Sequence, residues 1–141
     1  MFLGTHYPKL DEKGRFFLPA KFREELAEGL VISPGQERCL TIWTLEAFKE
    51  FARSASGPAT VKHVRDFQRM LSANASDEVP DKQGRITIPA RLRSYAGLEG
   101  EIAVVGAFDR VEVWNPAAWE QYQAAQEPAF VVMDNIPGQG L

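Results

Sequence analysis

At 141 residues the chain has the length of one ordinary domain, and 45% hydrophobic residues can supply its core. No apolar run approaches the roughly 20 residues that span a bilayer. Met1-Phe2-Leu3-Gly4 lacks the basic and long apolar parts of a signal peptide, and a single cysteine excludes an internal disulfide, so the chain reads as cytosolic.

Thr5 to Leu10 reads as a strand leading into the turn Asp11-Glu12-Lys13-Gly14. Asp followed three residues later by Gly suits a type I turn ending in a left-handed residue. Phe16 and Leu18 then alternate as a short strand, and Pro19 stands where a helix's first residue belongs. That helix carries Phe22 and Leu26 on one stripe and stops at Gly29. Leu30 to Ser33 reads as a buried strand closed by Pro34-Gly35, and Arg38 to Trp43 as another, with Cys39 a small core residue. Thr44 is placed to cap a helix over Leu45 to Arg53. Ser54 to Pro58 is a linker, and Ala59 to Ala73 a helix with Val64, Phe67 and Leu71 on one side.

Ala75 to Pro80 is strand-like and feeds a second turn, Asp81-Lys82-Gln83-Gly84, seventy positions after the first. Arg85, Ile86, Ile88, Pro89, Ala90 and Arg93 follow as Arg15, Phe16, Leu18, Pro19, Ala20 and Arg23 do, without a gap. Pro89 opens a shorter helix ended by Gly97. Strands over Glu101 to Val105 and Phe108 to Trp114 flank a turn at Gly106-Ala107. Asn115 caps a helix that Pro116 begins and that runs to about Gln126. Trp43-Thr44-x-x-Ala47-Phe48 thus matches Trp114-Asn115-x-x-Ala118-Trp119, so turn, strand and helix form a duplicated unit. The expected division is a first repeat over 5–53, a linker and helix over 54–74, a second repeat over 75–126 and a tail over 127–141. Each half alone would be small and marginal, so the repeats are expected to share one core. Phe130-Val131-Val132-Met133 in the tail could dock on a neighbour.

The net charge of −3 argues against a nucleic-acid partner until its distribution is seen. Lys9 to Arg23 has five basic and two acidic residues, Asp81 to Arg93 four and one, and Ser94 to the end one and seven. The positive charge is concentrated in the repeats, and a partner responds to the local field. His6 and His63 lie far apart with no second ligand at metal spacing, so neither metal nor cofactor is expected. The nucleophile-elbow, phosphate-loop and dinucleotide motifs are missing. Duplicated halves could bring Asp11 and Asp81 together as a catalytic dyad, but Glu12-Lys13 and Lys82-Gln83 follow them where a dyad needs Thr or Ser and then Gly. Stabilising the two turns is the simpler role for Asp11 and Asp81. The three Trp and most Phe fall at core positions rather than on a base-stacking platform.

Met1-Phe2-x-Gly4, Asp11-x-Lys13-Gly14-Arg15 with Pro19 and Phe22-Arg23, Asp81-Lys82-Gln83-Gly84-Arg85-Ile86-x-Ile88-Pro89 and Val111-Glu112-Val113-Trp114 together resemble the MraZ family of bacterial transcription regulators, related to AbrB-like DNA-binding proteins. The match runs from Met1 to about Trp119 and departs at Pro80, where an apolar strand residue is usual. The resemblance implies an α+β fold, a β-barrel of two interlocked swapped-hairpin halves with pseudo-twofold symmetry. It implies a nucleoid-associated ring, octameric or larger, that binds double-stranded DNA at promoter direct repeats. It further implies repression of the division and cell-wall operon that includes its own gene, with no enzymatic activity, membrane partner or small-molecule substrate. Arg15 and Arg85 match the family's DNA-contacting positions, and turns projecting from a barrel could set Lys13 and Lys82 on the same face. Asp11, Gly14, Asp81 and Gly84 are then the structural residues of the motif. An oligomeric interaction module with a basic face towards an acidic protein remains the alternative.

Overall fold

Strands in this chain alternate their side chains between two buried layers, and that alternation organises the fold. A computed structural model describes residues 1–138. In chain order the strands are β1 (Thr5–His6), β2 (Arg15–Phe17), β3 (Leu30–Pro34), β4 (Leu40–Thr44), β5 (Ser76–Glu78), β6 (Arg85–Thr87), β7 (Ala103–Gly106) and β8 (Val111–Trp114). The helices are α1 (Arg23–Leu26), α2 (Leu45–Ser54), α3 (Lys62–Ala73), α4 (Ala90–Ala96) and α5 (Pro116–Val131), with 3-10 turns at Ala20–Phe22 and Gln36–Arg38. The architecture is mixed α+β with antiparallel pairing throughout.

Six strands form one sheet in the order β1-β7-β8-β4-β3-β5, and β2 pairs with β6 in a separate two-stranded ribbon. Exchanging each strand of the first copy for its counterpart in the second reverses this order and reproduces it. The edge strand of each copy crosses to the other: β1 pairs with β7, and β5 with β3. β1 and β5 end the order, so the hydrogen bonding described leaves the sheet open rather than closing a barrel.

One face of the sheet buries Leu30, Ile32, Leu40, Ile42, Val104 and Val113 with Phe16, Leu18, Ile86 and Ile88 of the ribbon and Phe22, Leu26 and Leu92 from the helical segments. On the other face Trp43 stacks on Phe51 of α2 with ring centres 4.7 Å apart. Trp114 meets Trp119 and Tyr122 of α5 at 5.2 and 5.1 Å. Residues between these layers are apolar on both sides, which is why β3 and β7 read as continuous hydrophobic runs. Cys39 is buried as expected, and burial pushes its thiol up to about 12.

Several boundaries differ from expectation. Pro19 and Pro89 sit at the N-cap, one residue before the first helical position. The segment opened by Pro89 is not the shorter: α4 is a continuous seven-residue α-helix, while its counterpart is split into a 3-10 turn and the four-residue α1. β1 covers only Thr5–His6, β4 starts at Leu40, and α3 starts at Lys62 rather than Ala59. Gly106 belongs to β7, and the hairpin closes through the Ala107 N–H donating to the Arg110 carbonyl at 2.9 Å. α5 passes Gln126 and reaches Val131 with Pro128 inside it. The last part of the expected tail, 139–141, lies outside the described residues. Thr44 and Asn115 cap as expected, accepting the N–H groups of Ala47 and Ala118 at 3.0 Å each. Gly97 closes α4 in the left-handed region.

Candidate nucleic-acid interface

The first turn is held by one carboxylate. Asp11 Oδ1 accepts the backbone N–H groups of Lys13 and Arg15 at 2.9 Å each, and Oδ2 accepts Arg15 Nε at 2.7 Å. The Gly14 N–H closes the turn on the Asp11 carbonyl at 3.0 Å, with Gly14 at φ +81°. The second turn repeats this: Asp81 Oδ1 accepts the N–H groups of Gln83 and Arg85 at 2.9 Å, and Oδ2 accepts Arg85 Nε at 2.8 Å. Gly84 has φ +82°. Three donors favour the charged form of each acid. The Arg15 backbone N–H foremost, then the Arg15 guanidinium and the Lys13 N–H, lower Asp11 from 3.8 to about 2 against an opposing desolvation. Asp81 is lowered for the same reasons, first by the Arg85 backbone N–H. Each carboxylate is thus engaged within its own turn, an arrangement unlike two acids sharing a proton.

The turns feed one ribbon. Arg15 lies opposite Thr87, Phe16 opposite Ile86 and Phe17 opposite Arg85. The Leu18 N–H donates to the Gly84 carbonyl at 2.9 Å and the Ile88 N–H to the Gly14 carbonyl at 2.8 Å. Phe16 and Ile86 are buried, so the two-residue period turns Arg15, Phe17, Arg85 and Thr87 to the opposite face. There Arg85 lies 5.8 Å from the Phe17 ring centre. The structure therefore brings Arg15 and Arg85 onto one surface.

Each aspartate contacts its arginine through Nε alone, so the pair is not the guanidinium fork expected from a bidentate contact. The two Nη nitrogens of Arg15 and of Arg85 take part in no hydrogen bond among the described residues. Lys13 and Lys82 are exposed, but at different positions: Lys13 is second after its aspartate and Lys82 first after its own.

Two further arginines that the repeat aligns, Arg23 and Arg93, have a role that the sequence did not assign. Arg23 Nε donates to the Leu18 carbonyl at 2.9 Å and Arg93 Nε to the Ile88 carbonyl at 3.0 Å. Their side chains cross over: a Cβ on Gly84 would stand 2.7 Å from Arg23 Nε, and one on Gly14 would stand 2.8 Å from Arg93 Nε. The helical segment after each copy's proline thus packs on the other copy's turn. The signal was an arginine repeated four residues after each Pro. Phe17 was also missed: it is 50% exposed in the middle of the ribbon face.

A family model described as "MraZ protein, putative antitoxin-like" matches residues 1–70 and again 71–132. The chain belongs to the MraZ family. It is 64% identical over 134 residues to the transcriptional regulator MraZ of Cutibacterium acnes, covering 94% of both chains. It is 56% identical over 141 residues to the MraZ regulator of Kocuria rhizophila, covering 98% of this chain and 99% of that one. The MraZ protein of Thermobifida fusca is 51% identical over 141 residues. These MraZ relatives are named as transcriptional regulators, so the chain is a regulator of this family and not an enzyme.

Proposed function

We propose that the β2–β6 ribbon and its two turns are the DNA-contacting surface of a sequence-specific transcriptional regulator. The observation that carries this reading is the pair of arginines whose Nε is tied down by aspartate while both Nη nitrogens make no hydrogen bond among the described residues. A guanidinium oriented in this way has lost part of its rotamer freedom before binding. It presents a planar donor edge suited to guanine O6 and N7 or to phosphate oxygens. Lys13 and Lys82 at the turn tips add phosphate contacts, which supply affinity while base edges supply specificity. Asp11, Gly14, Asp81 and Gly84 hold the turns in the shape that aims the arginines.

The larger reading follows from family resemblance and from the crossed topology. In it, repeats over 5–53 and 75–126, joined through 54–74, form one compact domain that imitates a swapped-hairpin AbrB-type dimer. Copies assemble head to tail into a ring, which sets several ribbons against successive direct repeats upstream of the division and cell-wall operon. The protein thereby represses that operon, including its own gene, at the nucleoid. A single ribbon has few positive charges, so avidity across the ring is needed for tight binding.

A mobility-shift series on the DNA upstream of its own gene tests this. Arg15→Ala should keep the oligomeric mass and weaken operator binding by about 1–3 kcal/mol for each engaged ribbon. Arg85→Ala should act in the same direction, since its turn repeats the aspartate–arginine contact and carries its own lysine, Lys82. Unchanged operator affinity for Arg15→Ala at physiological salt would overturn the assignment. Equal binding to direct repeats and random DNA would favour an interaction module instead.

A further inference from the structure

We propose that the groove between α2, α3 and α5, on the outer face of the large sheet, docks a basic amphipathic segment of a partner protein. The groove encloses about 1110 Å³. That exceeds the roughly 300–1,000 Å³ of ordinary small-molecule pockets, and a groove between helices suits a chain segment. Trp43 and Phe51 of the first copy and Phe67 of the connecting helix α3 line it on one side, and Trp114, Trp119 and Tyr122 of the second copy on the other. None of the ribbon residues lines it, so it is a separate surface from the proposed DNA contact.

The charge around this aromatic lining selects the occupant. Glu37, Glu50, Asp109 and Glu112 line the groove with Arg110 as the lone cation among the lining residues; Arg110 is shared by Asp109 and Glu112, and Glu50 pairs with Arg53 outside the lining, so the lining keeps an excess of negative charge. Four carboxylates against one guanidinium repel nucleic acid and attract lysine or arginine, whose heads also favour the faces of Trp and Tyr. The apolar C-terminal part of this chain is a poor fit: residues 127–138 contain Glu127 and Asp134 and no Lys or Arg.

All three tryptophans of the chain line this groove, so intrinsic fluorescence reads its occupancy directly. The test titrates the full-length protein with a synthetic amphipathic helix of leucine and lysine, and with its counterpart carrying glutamate in place of lysine. The lysine peptide should shift and quench the emission saturably, and the glutamate peptide should not. A Glu50→Lys, Asp109→Lys variant should weaken the lysine peptide by about tenfold or more. Its operator binding should remain intact. If that variant fails to fold, the comparison of the two peptides on the unaltered protein still decides. Three results would overturn the proposal: equal response to both peptides, no response to either, or the same saturable change with tetramethylammonium ion alone, which would mark a small-cation site. An emission change that follows protein concentration without peptide would assign the groove to a second copy and also overturn it.

Discussion

Each turn rests on a single ionised carboxylate with three donors, which makes the turns sensitive to acid. Asp11 is lowered in the folded protein, so it stabilises the fold above its ordinary value of 3.8, and that contribution is lost as pH falls through about 2. Urea midpoints followed by circular dichroism should therefore decline across this window. Asp11→Asn should flatten part of the decline, because the amide cannot titrate. Gly84 is the other sensitive residue. Its φ of +82° costs an L-residue roughly 1–2 kcal/mol, and a Cβ there would press on Arg23 at 2.7 Å. Gly84→Ala should lose at least that much in denaturant unfolding, and more if Arg23 gives up its bond to the Leu18 carbonyl.

At the scale of elements, the capping residues and α5 behave differently. Thr44 supplies the side-chain N-cap of α2, whose inner side holds Phe48 and Phe51 against Trp43. Thr44→Ala should cost about 1 kcal/mol, read as a lower thermal midpoint. α5 is anchored near its start by Trp119 and Tyr122, whereas residues 123–138 are all exposed. Truncation after Gln126 should therefore change monomer stability by less than about 0.5 kcal/mol. Phe130, Val131 and Val132 are each more than 70% exposed, so the same truncation should reduce self-association if neighbouring copies cover them. A truncated protein with an unchanged elution volume would show that they do not.

For the whole molecule, the prediction is an assembly. Light scattering at micromolar concentration should give a mass several times 15.8 kDa; a clean monomer peak would rule the ring out. Operator binding should weaken steeply with added salt, because ribbons that each neutralise phosphates release counterions together. The low charge of one ribbon and the overall charge of −3 make that cooperation necessary.

The repeat at offset 70, the left-handed glycines, the helix caps and the alternation of Phe16 with Leu18 are local matters, set by backbone sterics and nearest neighbours. They were legible along the chain, and with them the positions of Asp11, Arg15, Asp81 and Arg85. Other features depend on contacts between residues far apart in sequence. Pairing of β2 with β6 is what sets Arg15, Phe17 and Arg85 on one surface. That each aspartate takes its arginine through Nε is a matter of side-chain geometry, which spacing does not encode. Arg23 and Arg93 looked like parts of their own helices, yet each rests on the other copy's glycine. Phe17 sits in a hydrophobic run, and only the pleat of the paired ribbon turns it outward. The acidic groove joins Glu50 of one copy to Glu112 and Trp119 of the other, residues that become neighbours only when the two halves share a sheet.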